Sequence, residues 1–481
     1  MDAALQGAAK RRGGIAAQRP ARAALGKYAK SATPPLSRDV VQATRAERYE
    51  LLAAARGLFL HQGKREGLEH PANWHRTAKC KWVTHGGAVG VHASCQHDGA
   101  FYSGLVNCGS VWACPVCAAK VQERRRVEIA AAIDWAYAQG LQPVMVTLTF
   151  PHYAWDNLTD LIAQQADALH RLRAGAPWTR FKQAHGYEGL IRSLELTFGE
   201  NGWHPHTHEL WFVDADVDAE AMGARVLERW RSSCARAGLL DLSDDAQVAA
   251  FNRHAVDVKG WCSTSDYLAK QDDSRHWGAD REIAKASTKR GRAKGLHPFG
   301  LLADAAEGDR AAGGRFVEYA QVMKGRRQLF WSRDLKARVG LAELTDEELA
   351  EADQDKADLL GLLNLAQWRA VRSSGKRAQL LDAAEVGGWA AVLELLATLE
   401  PADDALDDQP EPEPVVVLVE RPAPVPQRPP AATPLHEWLA TQRALNPLHW
   451  AAIYDGETIQ PRRLRLPPWM TAPDSNGYPP P

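Results

Sequence analysis

Between residues 143 and 258 the spacing of apolar positions changes period in a definite order. PVMVTLTF (143–150) is an apolar, β-branched run of strand length, and NLTDLIAQQADALHRLR (157–173) sets Leu158, Leu161, Ile162, Gln165, Leu169 and Leu172 on one helical face. GLIRSLELTF (189–198) and GWHPHTHELWFV (202–213) read as two strands joined through Gly199-Glu200-Asn201-Gly202, where the Asn-Gly pair signals a hairpin. A helix over about 216–236 follows, with Met222, Val226, Leu227, Trp230 and Cys234 on one side, and then a short strand from His254 to Val258. The succession β-α-β-β-α-β predicts an α+β fold of ferredoxin-like arrangement, an antiparallel sheet with helices packed on one face.

The flanks read differently. GAVGVHAS and AFYSGL enclose the turn CQHDG and predict a hairpin, with Cys95 at its tip and Cys80 and Cys108 at its open end. Residues 343–400 suggest two or three helices: LTDEELAEAD begins at a Thr N-cap followed by acidic residues, and LLGLLNLAQWRAV, RAQLLDAAEV and WAAVLELLATL supply apolar faces. The expected division is a basic, partly disordered arm ending in a helix (1–75), a zinc-binding module (76–122), a central domain (123–335), a small helical domain (336–400) and a mostly disordered tail (401–481). The tail boundary comes from proline, since 18 of the 28 prolines fall in the last 81 residues. Such a segment buries too little apolar surface to offset chain entropy.

Composition places the 481-residue chain among ordinary globular proteins, with 45% hydrophobic and 24% charged residues. No apolar stretch is long enough for a membrane span, and Lys10, Arg11 and Arg12 precede no secretory core, so a cytoplasmic protein is expected. The formal charge of −1 conceals a segregation: residues 1–30 hold seven Lys or Arg against one Asp, 285–297 hold five against none, and 400–414 hold seven acids and no base. Local basic segments suit a polyanion such as nucleic acid.

Chemistry becomes legible on the hairpin. His204, His206 and His208 alternate, so in a strand they share one face. A turn centred on Glu200-Asn201 pairs positions summing to about 401 and sets Glu195 across from His206. Two imidazoles and a carboxylate on one face form a divalent-metal site with open positions, to which His204 need not contribute. Pro205, lacking an N–H, marks this stretch as an edge or an irregularity.

Seven cysteines, an odd count, argue against a disulfide framework in a cytoplasmic chain. Cys114-Pro-Val-Cys117 has zinc-knuckle spacing, Cys108 precedes it by six, and the hairpin geometry selects Cys80 as the fourth ligand of a structural zinc. Cys234 and Cys262 read as core residues.

Downstream, STSDYLAKQDD (263–273) predicts a helix start that presents Tyr267 and Lys270 on one face. A phenol is a poor nucleophile unless a cation favours its phenolate and a metal polarises the phosphate it attacks. TLTF (147–150), HPHTH (204–208) and YLAK (267–270), in that order, resemble the three motifs of HUH endonucleases, and the layout is similar to the rolling-circle replication initiator (Rep) proteins of bacterial plasmids. The likeness extends through NCGSVWACPVCAAKVQERR (107–125), HPFGLLADA (297–305) and KGRRQLFWSRDL (324–335), covering roughly 76–395. It implies a sequence-directed nickase: Tyr267 attacks one strand at the plasmid's double-strand origin, becomes linked to the 5' phosphate and frees a 3' hydroxyl for a host polymerase. His206 and His208, with Glu195, would hold Mg or Mn, and the same site would later rejoin ends. The pattern departs at Ser263, where some relatives carry the glutamate that ends the cycle.

Basic segments around these motifs are candidate DNA contacts: Arg124, Arg125 and Arg126 after the last thiolate, Lys289, Arg290, Arg292 and Lys294 in a loop past the tyrosine helix, and Arg326 and Arg327, with Lys324, beside Phe330 and Trp331. The helical domain would read the origin, dimerise or recruit a host helicase. Two other readings are a non-catalytic, zinc-containing DNA-binding plasmid regulator with structural histidines, and an HUH transposase or relaxase.

Overall fold

The computed structural model describes residues 38–94, 99–263, 295–351 and 357–400. Residues 1–37 of the expected N-terminal arm, the C-terminal tail from 401, and Cys95, Tyr267, Lys270, Lys289, Arg290, Arg292 and Lys294 lie outside the described residues. Apart from Thr84–Ala88, the described residues form one compact unit. No helix among them is long and apolar enough to cross a membrane.

α1 (Arg38–Arg65) and the single turn α2 (Arg76–Lys79) precede the hairpin β1 (Ala88–Ser94) and β2 (Ala100–Ser103). α3 (Pro115–Ala138) leads into β3 (Leu141–Leu148), α4 (Leu158–Leu172), α5 (Gly175–Ala184), β4 (Gly189–Gly199), β5 (Gly202–Asp214), α6 (Ala219–Arg236), α7 (Asp245–His254) and β6 (Val256–Lys259). Beyond residue 294 follow α8 (Pro298–Ala306), α9 (Arg310–Met323), β7 (Leu329–Trp331), α10 (Leu335–Val339), α11 (Asp346–Glu351), β8 (Ala357–Asn364), α12 (Leu365–Ser373) and α13 (Arg377–Ala397).

The central sheet has the order β6-β3-β5-β4-β7, and every neighbouring pair is antiparallel. Its first four strands carry the expected succession, with the last strand beside the first. Local chemistry fixes the boundaries: Asn157 caps α4 by accepting from Thr159 N and Asp160 N, and Asp218 caps α6 through Glu220 N and Ala221 N. The β4–β5 turn falls where Asn-Gly predicts, with Gly199 opposite Gly202 and every pair summing to 401. Pro205 lies in an interior strand, but past the last β3 pairing, Leu148 opposite Thr207, so its β3 flank has no ladder to break.

Helices cover both faces, which corrects the one-face expectation. Val144, Val146, Leu148, Trp211 and Val213 pack with α4 and α6 residues including Leu161, Leu169, Val226 and Trp230. On the opposite face, Met145, Ile191, Leu210 and Phe212 pack under Ile129, Ile133 and Ala136 of α3. The period-2 alternation requires two apolar faces here, because both parities of 143–146 and 210–213 are apolar.

The segment 343–400 is not purely helical. ADLLGLLN forms β8, which joins the first hairpin in a second sheet of order β2-β1-β8. A short Leu-rich run does not distinguish a helical from a strand period, and the free edge of β1 decides the outcome. Gly361 marks the close approach: a Cβ there would lie 2.3 Å from Cε2 of Trp389. Tyr49 of α1, Val89, Val91, Tyr102, Leu363, Trp368 and Leu381 form the core beneath this sheet.

Candidate functional site

Four thiols from separate elements converge. Cys80 caps the C-terminus of α2, Cys108 lies in the loop after β2, Cys114 is the N-cap of α3, and Cys117 follows in its first turn, its N–H donating to Cys114 Sγ at 3.4 Å. Gly109 (φ +63°) permits the tight path beside Cys108, where a Cβ would lie 2.8 Å from Glu347 Cα. The four side chains are buried, and sulfur pairs stand 3.5 Å (Cys80–Cys117), 3.7 Å (Cys80–Cys114) and 3.8 Å (Cys108–Cys117) apart. Tetrahedral zinc with Zn–S bonds of about 2.3 Å separates its sulfurs by about 3.8 Å, so the donor set fits that ion. Burial pushes the Cys114 thiol well up, whereas hydrogen bonds from Cys108, Cys114 and Cys80 hold the Cys117 thiol well down. Cys234 and Cys262 are buried away from the four-thiol cluster.

The second cluster occupies the face of the sheet shared with α3, on the part toward the β4–β5 turn. Glu195 lies opposite His206 in the register. Its Oε2 is 3.6 Å from His206 Nε2 and 3.5 Å from His208 Nε2, and the three side chains are only 10–14% exposed. Ligands about 2.0–2.2 Å from one ion stand about 3–3.6 Å apart, so these atoms fit around a divalent cation with an open side. Burial pushes the Glu195 carboxyl up, but the His206 hydrogen bond and the charges of His208, His206 and His297 outweigh it and leave it below the usual range.

The TLTF segment supplies the second layer. Thr147 Oγ1 is 3.0 Å from His208 Nδ1, and Thr149 Oγ1 is 2.5 Å from His204 Nε2. His204 stands beside the cluster but outside it. Burial, then the charges of His206, His152 and His208, lower its pKa to about 3, so it is neutral at ordinary pH. His152 stacks on His204 with centroids 4.4 Å apart. His297 caps α8, accepting from Phe299 N, and lies close enough to depress Glu195. Sequence reasoning missed both His152 and His297; their only signals are the His-Pro pair that opens α8 and the position of His152 just beyond TLTF.

The candidate DNA contacts divide. Arg125 is committed to the fold: it donates to Glu128 (2.8 Å), to Leu344 O (2.9 Å) and to Asp346 (3.1 Å), tying α3 to α11. Arg126 pairs with Glu123 at the surface, and Arg124 extends from the same turn of α3. Arg326 and Arg327 are exposed on a cleft of about 860 Å³ that also holds Trp74, His75, Lys324 and Trp331. Leu194 N donates to Gln328 O at 2.9 Å, so the backbone just after Arg327 joins the sheet one residue from Glu195. Phe330 lies beneath the Arg192 guanidinium, 4.8 Å from the ring centre.

Comparison with known proteins bears on the whole constellation. A family model described as replication protein (Rep_1) matches residues 106–374, a span that includes Cys108, Cys114, Cys117, Glu195, His206, His208 and Tyr267. Protein rep of Streptomyces lividans is 29% identical over 347 residues, covering 59% of this chain and 76% of that protein. The neomycin resistance protein of Streptomyces cyanogenus is 34% identical over 148 residues, 26% of this chain and 34% of that protein. No solved structure matches.

Proposed function

The chain belongs to the replication protein family of plasmid Rep proteins, and on that premise we propose that it initiates rolling-circle replication as a ferredoxin-like HUH endonuclease, nicking one strand at the plasmid's double-strand origin. The observation that carries this reading is the convergence of Glu195, His206 and His208 on one sheet face, with ligand atoms within 4.8 Å of one another. Mg or Mn held there would polarise the scissile phosphate. Tyr267 is the nucleophile: its phenolic oxygen forms a bond to the phosphorus as the bond to the 3' oxygen breaks, leaving a 5'-phosphotyrosine and a free 3' hydroxyl. Lys270 favours the phenolate, and the same exchange in reverse rejoins ends at termination.

The Cys80, Cys108, Cys114 and Cys117 cluster would hold structural zinc and so fix the start of α3, whose other end packs on the catalytic sheet. Arg124, Arg126, Lys289, Arg290, Arg292, Lys294, Arg326 and Arg327 are the proposed DNA-backbone contacts, with Arg125 acting as a strut. Host helicase and polymerase are the expected partners of the nicked complex. The test incubates purified protein with labelled single strands of its own plasmid origin, with and without EDTA. A covalent adduct that requires the divalent ion supports the reading, and its absence on every strand refutes it.

A further inference from the structure

The loop leaving β3 carries a feature that neither candidate metal site uses. Tyr153 and Trp155 stack with centroids 4.9 Å apart and planes within 1° of parallel. Trp155 is 79% exposed and Tyr153 38% exposed. A tryptophan held so far into water forgoes the burial that ordinarily justifies its size, so core packing does not explain it.

The loop beneath the pair is well tied. Tyr153 N donates to Asp156 Oδ2 (2.7 Å), Asp156 N donates to Tyr153 O (3.0 Å), and Gln247 Nε2 of α7 donates to the Tyr153 hydroxyl (2.7 Å). Gly202 (φ +79°) lets the β4–β5 turn press against this loop, since a Cβ there would lie 2.9 Å from Tyr153 O. His152, directly before Tyr153, stacks on His204, and His204 lies 4.9 Å from the His206 ring. The exposed pair thus belongs to the same tethered loop whose histidine adjoins the candidate metal ligands.

We infer that the Tyr153–Trp155 stack is a platform for an unpaired base of the DNA strand whose phosphate occupies the Glu195–His206–His208 site. This inference rests on the nicking function proposed above and assigns that site a base-holding subsite. A flat aromatic face binds any base π-surface but requires the base to be free of its duplex partner, so the platform selects single-stranded over double-stranded DNA. The loop's contacts are polar, Tyr153 with Asp156 and Gln247 and His152 with the Asn201 carbonyl, whereas a protein-docking tryptophan sits within an apolar, water-excluding surround. DNA is therefore the better match than a protein partner.

The test measures binding of the full chain, in EDTA, to a fluorescent oligothymidylate of about 15 nucleotides and to a duplex of the same length. Trp155→Ala is expected to weaken single-strand binding on the order of tenfold, Trp155→Phe to retain most of it, and duplex binding to stay within about twofold for both. Thermal melting of each variant beside the parent confirms that the exposed substitution leaves the fold intact. Unchanged single-strand affinity in Trp155→Ala, an equal loss for duplex, or no single-strand binding by the parent chain would each overturn the platform. Adduct formation by the parent on origin strands is scored separately: a parent that binds single strands through Trp155 yet forms no metal-dependent adduct refutes nicking and leaves the platform standing.

Discussion

Thr147 and His208 face each other across β3 and β5, hydroxyl to Nδ1 at 3.0 Å, while His208 presents its Nε2 to Glu195 at 3.5 Å. A cation bound at Nε2 would leave the proton on Nδ1, which would then donate to the threonine oxygen and hold both the tautomer and the ring plane. Thr147→Val keeps the β-branched shape and removes the acceptor. The expected outcome is a fall in Mn affinity of about 10- to 100-fold, read by titration calorimetry, with Thr147→Ser recovering most of it. Equal affinities for the parent and the Val variant would make the contact incidental.

The hairpin and its register were legible in the sequence because Asn201-Gly202 sets the turn, and a set turn fixes every cross-strand pair, Glu195 with His206 included. The four thiols were legible for a related reason, since the predicted β1–β2 hairpin brings Cys80 and Cys108 to one end. Features decided by remote partners were not. Arg125 looks like one of three basic surface residues, but its partner Asp346 lies 221 positions away. The placement of α3 on the second face, and of β8 beside β1, likewise depends on which apolar surface remains uncovered once the rest has packed. Local periodicity carries no record of that.

Removing a thiol should cost the ion and part of the fold together. Cys117→Ser is expected to abolish a stoichiometric zinc signal by elemental analysis and to lower the melting temperature by several degrees or more, since metal binding and folding share one free energy. Retention of one zinc per chain in the variant would exclude this ligand set.

His75 provides a pH dependence. Burial, then the charges of Lys324 and Arg76, lower its pKa to about 4, and its ring stacks on Phe59 at 4.0 Å. A folded pKa below the unfolded value of about 6.5 means that the unfolded chain takes up the proton first. The contribution to stability is therefore intact above pH 6.5 and is lost as pH falls toward 4, with a slope of up to about 1.4 kcal/mol per pH unit, reduced by solvent screening. His75→Asn keeps a side-chain acceptor for Thr77 N and should flatten this part of the urea-denaturation profile. A profile identical to the parent's would show that His75 does not contribute.

Gly202 is a sensitive backbone position. Its φ of +79° and the 2.9 Å approach to Tyr153 O leave no room for a side chain. Gly202→Ala is expected to destabilise the protein by about 1–3 kcal/mol in denaturant titration. A cost within about 0.5 kcal/mol would show that the turn and the β3 loop are not tightly docked.

The central claim is tested most directly by mapping the covalent bond. The parent chain is incubated with an origin strand and Mn, digested and analysed by mass spectrometry. The expected result is a nucleotide joined through its 5' phosphate to the peptide containing Tyr267, absent with EDTA and absent from Tyr267→Phe while strand binding persists. An adduct on another residue, or an undiminished adduct in Tyr267→Phe, would contradict it.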